Sequence, residues 1–514
     1  MQSCKATSSV LVICLILIGF SFLAGCTQKG SDAGLVKTDA GVVKTDAGSV
    51  SGIQQGSLRV YTGIPFAAPP TGDLRWRPPA PVQPWDGVKE TKVYSPACPQ
   101  PAAADPTLNM SEDCLYLNVW TPAKSADEKL PVMVFLYGGA FGKIAGSISE
   151  YNGTALAEKE VIVVTPNYRV GALGFLAHPE LDNESPHNVS GNYGLLDQIA
   201  AMQWVQRNIG AFGGDPSRVT VFGQSAGGES IFIHLSSPQS KGLFQQAIVQ
   251  SGTFWTNGAE IDAIYTKADA EQYGESFAQS LGYSGPGAIA RMRKLSSGEI
   301  ANATPWPASS FQMVNSRHFE PTIDGWVVPD APENVFRLHR ENPVPLIVGN
   351  NAGDGTALAA NANMTVPEYR TFIQNRFGSD AAAVLAKYPA NSTAEVQLQL
   401  EQIMTDYDFT DAVKFVASSM AETNQSTYRY LYSYIIPGQP DGAFHGSETY
   451  LLFKIPLPPN PVNDQVSDNL VDLWTRFAKT GDPNGGMNVT WPKYTRDGGR
   501  YLDIGAAPIV KSGY

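Results

Sequence analysis

An apolar run that stops abruptly at a serine between glycines constrains the fold of this chain more than any other feature. Residues 218–228 read Arg-Val-Thr-Val-Phe-Gly-Gln-Ser-Ala-Gly-Gly, and helix-compatible residues follow. A sharp strand-to-helix turn strains the serine backbone, and the two flanking glycines allow a close approach that larger side chains would block. The hydroxyl of Ser225 would then project from the carboxyl edge of a sheet. Because Gly-x-Ser-x-Gly also recurs by chance, its meaning depends on partners elsewhere in the chain.

The flanking segments predict the sheet behind this serine. Residues 130–137 and 161–169 are continuous apolar runs, which are typical of buried parallel strands, and residues 247–252 are predicted as the next strand. A helix is predicted to begin within residues 191–198. Strand, helix and strand at this spacing imply a crossover connection and a parallel sheet. We therefore expect an α/β fold with a mostly parallel central sheet flanked by helices.

Glycines also follow the first of these predicted strands, in the sequence Gly138-Gly-Ala-Phe141. Glycines at the carboxyl end of a strand leave backbone N–H groups unobstructed, which an oxyanion hole requires. Without the serine motif, a plain turn would be the simpler interpretation. Together with that motif, the segment predicts an oxyanion hole.

A serine nucleophile needs a base, and the chain offers six histidines: His178, His187, His234, His318, His339 and His445. In α/β-hydrolases the chain order is serine, acid, histidine, which removes the first two. The third falls in the helix after the serine, and the next two lie in the segment 260–340, away from any predicted strand end. His445 instead lies in the loop after a strong predicted strand, residues 428–436, from which it can bend back across the sheet edge. It is the predicted base.

The acid that orients this base is predicted to be Asp354. A buried strand ends in the glycine-rich loop Gly349-Asn-Asn-Ala-Gly-Asp354-Gly, so its carboxylate would also lie at a strand end. Four other aspartates are rivals that we interpret as structural: Asp324, Asp406, Asp408 and Asp411.

Composition excludes some partners. The 514 residues carry a formal net charge of -12 and a pI near 5.1, which argues against binding nucleic acid because phosphate binding needs clustered Lys and Arg. No cluster of residues has the spacing of metal ligands, so we expect neither a metal nor another cofactor.

The N-terminus has the features of a targeting segment. Lys5 precedes an apolar run over residues 10–20, followed by Leu23-Ala-Gly-Cys26, which resembles the lipobox of bacterial lipoproteins. The resemblance implies a signal peptide over residues 1–25 and a lipid on Cys26; an uncleaved anchor or an ordinary signal peptide is the alternative. Residues 26–42 are then predicted to be a tether. The expected location is the bacterial cell envelope, anchored by lipid, at the outer membrane or cell surface.

Two further segments resemble the signatures of a known family. Residues 61–76, Tyr-Thr-Gly-Ile-Pro-Phe-Ala-Ala-Pro-Pro-Thr-Gly-Asp-Leu-Arg-Trp, and residues 111–120, Ser-Glu-Asp-Cys-Leu-Tyr-Leu-Asn-Val-Trp, are similar to those of type-B carboxylesterases, which include cholinesterases and para-nitrobenzyl esterases. The resemblance extends over residues 43–514, which implies one α/β-hydrolase domain with helical insertions forming a gorge. It also implies a structural ion pair between Arg75 and Glu112.

The same resemblance implies further site residues. The oxyanion donors would be the N–H groups of Gly139, Ala140 and Ala226. Residues 442–445 match the Gly-Ala-x-His motif of the family, which supports His445. Asp354 occupies a position where many members carry glutamate.

Two departures separate this chain from the cholinesterases. Many family members have glutamate before the serine, beside the catalytic histidine, whereas this chain has Gln224. The other departure concerns the loop between Cys98 and Cys114, which we expect to be closed by a disulfide because the chain is predicted to be exported. That loop has no Trp, the residue with which cholinesterases bind choline.

These observations predict a serine carboxylesterase that hydrolyses small ester substrates through an acyl-enzyme. A non-catalytic, cholinesterase-like adhesion protein is an alternative, but this chain retains all three triad residue types in order. A lipase is a second alternative. No long amphipathic lid is evident, although residues 260–340 could contain one.

Overall fold

The predicted strands lie side by side in one large sheet. The computed structural model describes residues 38–102, 104–253, 265–305, 311, 318–423 and 426–513. Its strands are β1 (Thr38–Lys44), β2 (Ser49–Gln55), β3 (Leu58–Pro65), β4 (Val88–Glu90), β5 (Tyr116–Thr121), β6 (Leu130–Leu136), β7 (Ile162–Pro166), β8 (Gly214–Gln224), β9 (Gln246–Gln250), β10 (Tyr265–Thr266), β11 (Thr322–Ile323), β12 (Leu346–Asn351), β13 (Thr427–Tyr432), β14 (Arg500–Ile504) and β15 (Ile509–Ser512).

Helices connect these strands. They are α1 (Thr154–Ala157), α2 (Gly171–Phe175), α3 (Pro179–Glu184), α4 (Tyr193–Asn208), α5 (Ala226–Ser236), α6 (Lys267–Ser280), α7 (Ala288–Met292), α8 (Ser297–Ala303), α9 (Pro332–Arg337), α10 (Asp354–Leu358), α11 (Val366–Phe377), α12 (Ala381–Lys387), α13 (Thr393–Ile403), α14 (Asp411–Glu422), α15 (Ser447–Leu452) and α16 (Pro461–Thr480). A π-helix over Met404–Thr410 joins α13 to α14. None of the helices in the described ranges is long and apolar enough to cross a membrane.

The centre of the sheet is parallel and its two ends are antiparallel. The strand order is β1-β2-β3-β5-β7-β6-β8-β9-β12-β13-β14-β15, with β4 also paired to β2. Neighbours from β7 through β14 run parallel, which confirms the predicted crossovers. The core strand β6 is almost wholly buried, as its continuous apolar sequence predicts.

The sheet begins earlier along the chain than the sequence indicates. Strand β1 starts at Thr38, inside the segment 26–42 predicted as a tether, and pairs antiparallel with β2. Residues 27–42 are mostly small and polar, which is also typical of a linker. An edge strand tolerates such residues because one of its sides has no neighbouring strand. Cys26 and the signal segment lie outside the described residues.

Parallel topology brings several strand ends to one edge of the sheet. The carboxyl ends of β6, β8 and β12 lead directly into residues 138–141, Ser225 and Asp354, respectively. Strand β13 pairs parallel with β12, and the loop that follows it contains His445. The sheet order therefore collects residues that are distant in sequence.

Two predicted structural links are confirmed. Cys98 and Cys114 form a disulfide, and both are buried. Arg75 Nη2 donates to Glu112 Oε2 at 2.7 Å, and its Nη1 donates to the carbonyl of Leu295 at 2.7 Å. The ion pair therefore also attaches the N-terminal signature segment to the region after α7.

Candidate active site

Ser225 occupies a strained turn between β8 and α5. Its φ is 57° and its ψ is -127°, a conformation that non-glycine residues rarely adopt. The Ser225 amide donates to the carbonyl of Gln250 at 2.9 Å, and its carbonyl accepts from the amide of Glu229 at 2.8 Å. These bonds attach the turn to β9 on one side and to α5 on the other.

The two flanking glycines are required by close backbone contacts. A Cβ atom at Gly223 would lie 2.6 Å from the carbonyl oxygen of Leu136, and one at Gly227 would overlap the same oxygen. Both positions pack against the end of β6. The turn that carries Ser225, which we call the elbow, can therefore lie against the end of β6 and the glycine loop after it (residues 138–141) only when Gly223 and Gly227 lack side chains.

Asp354 and His445 are joined directly. His445 Nδ1 lies 2.8 Å from Asp354 Oδ1, and the Asp354 side chain is fully buried. The other carboxylate oxygen accepts from the Asn351 amide at 2.7 Å and from the Ser251 hydroxyl at 3.1 Å. Asp354 thereby directs the Nδ1 proton of His445 and leaves Nε2 as the unprotonated nitrogen.

Gln224 lies against that second nitrogen. Its Nε2 is 3.2 Å from His445 Nε2, and its side chain is largely buried. The ring of Phe409 packs on the other side, with ring centroids 5.1 Å apart. Within the described residues no hydrogen bond joins the Ser225 hydroxyl to His445. Such bonds commonly tighten only when substrate is bound.

The glycine loop after β6 has a left-handed backbone. The φ angles are 104° at Gly139, 50° at Ala140 and 53° at Phe141. The carbonyl of Gly139 accepts from the amides of Gly142 and Lys143, and that of Phe141 accepts from the Gly171 amide at 2.6 Å. Among the described residues, the backbone N–H groups of Gly139, Ala140 and Ala226 donate no hydrogen bond. These are the three predicted oxyanion donors.

The rival residues have other partners. Asp324 accepts from Asn192, Trp326 and Val328, Asp406 from Tyr388, and Asp408 pairs with Arg376. Asp411 lies 3.8 Å from Lys414. Among the remaining histidines, His178 accepts from Glu180, His187 stacks on Trp326, His234 bonds Gln198 and Ser240, His318 pairs with Glu320, and His339 lies near Glu422.

Sequence reasoning missed a buried carboxyl beneath the site. Glu448 lies three residues after His445, at the start of α15; it is fully buried and accepts from Asn351 Nδ2 at 2.6 Å and from Gln250 Nε2 at 3.1 Å. Burial raises the pKa of Glu448 to about 7. The hydrogen bond from Asn351 opposes this rise, whereas the negative charge of Asp354 adds to it. Glu448 follows His445 closely in the sequence and lies in the first turn of α15, but no sequence pattern shows its contacts.

Sequence reasoning also missed the π-helix. Thr405 Oγ1 accepts from the Gly355 amide at 2.8 Å, and Thr410 Oγ1 accepts from Asn350 at 3.1 Å. Together with Phe409, which packs on His445, these residues let one element contact both that histidine and the loop that carries Asp354 (the acid loop). π-Helices are often found at functional sites.

The fold that brings these groups to one sheet edge is the α/β-hydrolase fold. Two solved structures of PNB esterase superpose on this chain with a TM-score of 0.80. One of them is 33% identical in sequence, and the match covers 91% of this chain and 97% of that structure.

The family follows from the whole-length sequence match. The model of the carboxylesterase family matches residues 39–514, and the chain belongs to that family. It is 37% identical over 468 residues to fumonisin B1 esterase of Sphingopyxis macrogoltabida, a match covering 88% of this chain and 84% of that protein. It is 32% identical over 543 residues to carboxylesterase 1E of Mus musculus, covering 96% and 93%, respectively. The protein is a serine hydrolase that acts on carboxylic esters.

Proposed function

We propose that Ser225, His445 and Asp354 carry out this ester hydrolysis as nucleophile, base and orienting acid. The observation that carries the proposal is the 2.8 Å contact between His445 Nδ1 and a fully buried Asp354, beside the strained elbow. A serine hydroxyl is a poor nucleophile unless a base accepts its proton and a carboxylate orients that base. The three side chains supply these parts.

In the acylation step, the Ser225 oxygen attacks the ester carbonyl while His445 Nε2 takes the serine proton. The developing oxyanion accepts hydrogen bonds from the amides of Gly139, Ala140 and Ala226. Each donor contributes on the order of 3 kcal/mol to transition-state stabilisation. His445 then gives the proton to the departing alcohol, which leaves an acyl group on Ser225.

Deacylation repeats these steps with water. His445 takes a proton from a water molecule, whose oxygen attacks the acyl carbonyl, and then returns the proton to Ser225 as the carboxylic acid leaves. Neither half of the reaction needs a metal or another cofactor. The retained triad favours this function over an adhesion protein.

Labelling and substitution test the assignment. We expect a fluorophosphonate probe to modify Ser225, and Ser225→Ala to lower the turnover of p-nitrophenyl butyrate by about 10⁶. Ser236→Ala is a matched control, because Ser236 ends α5, the helix that follows Ser225, and its hydroxyl bonds only the carbonyl of Phe232 among the described residues. Wild-type turnover in Ser225→Ala would exclude Ser225 as the nucleophile.

Substrate range is a separate question. p-Nitrophenyl esters from acetate to palmitate would distinguish a carboxylesterase from a lipase, because a lipase should prefer long acyl chains and an emulsified substrate. The relative from Sphingopyxis macrogoltabida is named for fumonisin B1, so that compound belongs in the same panel.

We propose in addition that the mature protein is anchored in the bacterial envelope by a lipid on Cys26, at the outer membrane or cell surface. The sequence Leu-Ala-Gly-Cys at residues 23–26, after an apolar run, supports this. Cys26→Ala should move the protein from the membrane fraction to the soluble fraction and abolish incorporation of labelled palmitate. Unchanged fractionation and labelling would exclude this anchor.

A further inference from the structure

The disulfide loop contains a buried glutamine that bonds the backbone of another segment. Gln100 is 2% exposed, and its Oε1 accepts from the amide of Ile144 at 2.7 Å. Its Nε2 donates to the carbonyl of Ile144 and to that of Cys98, both at 3.1 Å. One side chain thus joins both backbone groups of Ile144 to the backbone of Cys98, one end of the disulfide.

Ile144 ends the segment that begins with the oxyanion donors. Its φ is 71°, the fourth left-handed residue between Gly139 and itself. The neighbouring amide of Lys143 donates to the carbonyl of Gly139 at 3.1 Å, which couples the two ends of the segment. Non-glycine residues keep such conformations only when their surroundings hold them there. The Gln100 bonds supply part of that constraint.

A second amide side chain strengthens the same connection. Asn167 is fully buried; its Oδ1 accepts from the amide of Ser147, and its Nδ2 donates to the carbonyls of Pro96 and Cys114, each at 3.1 Å. It also donates to Ser95 Oγ at 3.3 Å. The base of the disulfide loop is therefore attached to residues 144–147 at two points.

Lys143, next to Ile144, also interacts electrostatically with a residue of the disulfide loop. Lys143 is 4% exposed, and burial lowers its pKa to about 8, while the opposing charge of Asp105 in the disulfide loop raises it.

We propose that the loop closed by Cys98 and Cys114 positions the oxyanion hole, with Gln100 as its principal positioning residue. The inference rests on the proposed role of the Gly139 and Ala140 amides. Those amides bind a charge that develops only in the transition state, so a displaced segment lowers kcat and leaves KM nearly unchanged. A purely structural role would change stability without this selective loss.

Gln100→Met tests the inference, because methionine keeps the length of the side chain and loses its hydrogen bonds. We expect kcat for p-nitrophenyl butyrate to fall about tenfold with KM changed less than about twofold. The inhibition constant of a trifluoromethyl ketone, which forms an oxyanion on Ser225, should rise by the same factor. The control is Gln206→Met, which removes two comparable bonds to the carbonyls of Pro216 and Leu243, away from the site.

The double substitution Cys98→Ala/Cys114→Ala gives a second test should Gln100→Met not fold. It should lower kcat and weaken the ketone in the same way, at a temperature where circular dichroism shows a folded protein. Combining it with Gln100→Met should add little, because both changes release the same segment.

The outcomes separate this inference from the catalytic assignment. Wild-type kcat and ketone affinity in folded Gln100→Met, or in the folded cysteine double variant, would overturn the positioning role and leave the triad intact. An active Ser225→Ala protein would instead remove the triad assignment. Equal losses in Gln100→Met and Gln206→Met would show a general stability effect and would also overturn the inference.

Discussion

At the scale of single residues, Gln224 is the most informative departure from the family pattern. Its amide lies 3.2 Å from His445 Nε2, where many relatives place a carboxylate. Among the described residues, the carboxyl group of Asp354 is in direct contact with this histidine, and that of Glu448, three residues further along, interacts with it electrostatically. A neutral amide adds no charge that favours the protonated ring.

Gln224→Glu should move the acid limb of the kcat/KM profile to higher pH. A carboxylate at this distance stabilises the imidazolium, and a shift of about one pH unit is expected from an opposite charge within 4–6 Å. The measurement is kcat/KM for a neutral ester from pH 5 to 9. Gln203→Glu adds the same charge on an exposed face of α4 and should leave the profile unchanged. An identical profile in Gln224→Glu would contradict the role given to the amide.

At the scale of elements, the elbow depends on how closely β8 and α5 approach β6. Gly227 packs on the carbonyl of Leu136 with no room for a methyl group. The glycine loop begins one residue after Tyr137, so the same contact sets the distance between nucleophile and oxyanion donors. Backbone packing here is part of the catalytic geometry.

Gly227→Ala is expected to abolish labelling of Ser225 and to destabilise the protein by about 3 kcal/mol or more, because overpacking against rigid backbone cannot be relieved by a rotamer change. Thermal unfolding and fluorophosphonate labelling measure the two effects. Gly210→Ala is the matched control, since a Cβ atom there meets nothing within 4 Å and its φ is not left-handed. Normal labelling in Gly227→Ala would show that the elbow can relax.

The π-helix is the element that sequence patterns are least able to predict. The π-helix directly follows α13 and precedes α14, and all three carry buried apolar residues. The spacing of apolar residues therefore indicates only one helical region. The aspartates within the π-helix bond to Tyr388 and Arg376: Asp406 accepts from the Tyr388 hydroxyl and Asp408 pairs with Arg376. Its contacts with Gly355 and His445 depend on how that region packs against the acid loop.

At the scale of the whole molecule, buried titratable groups determine how stability depends on pH. His234 is fully buried between Gln198 and Ser240, each 2.8 Å from one of its ring nitrogens. Burial lowers the pKa of His234 to about 3, well below its unfolded value. The unfolded chain therefore binds a proton at this residue more readily than the folded protein does.

The free energy of unfolding should consequently fall as pH decreases below about 6.5, by about 1.4 kcal/mol per pH unit from His234 alone, until the pH approaches its folded pKa. Above pH 6.5 this contribution is constant. His234→Gln should remove this part of the slope between pH 7.5 and 5.5, as measured by urea unfolding at each pH. Parallel curves for the two proteins would show that His234 titrates alike in both states.

What the sequence determined by itself was local or ordered along the chain. Strand and helix periodicity, the glycines around Ser225, and the order serine, aspartate, histidine predicted the fold and the contact between Asp354 and His445. Two family signatures predicted the Arg75–Glu112 pair, and the predicted export of the chain led us to expect the disulfide between Cys98 and Cys114. These features could be predicted because each depends on residues close in the chain or on a motif with a known place in the fold.

The tertiary structure alone decided which distant backbones and amide side chains meet. Gln100 reaches Ile144, Asn351 reaches Glu448, and Phe409 packs on His445 because sheet order and helix packing bring their elements together. Individual side-chain contacts such as these leave no periodic pattern in the sequence that shows their partners. The start of β1 at Thr38 has the same origin, since a polar edge strand is recognisable only from the neighbour with which it pairs.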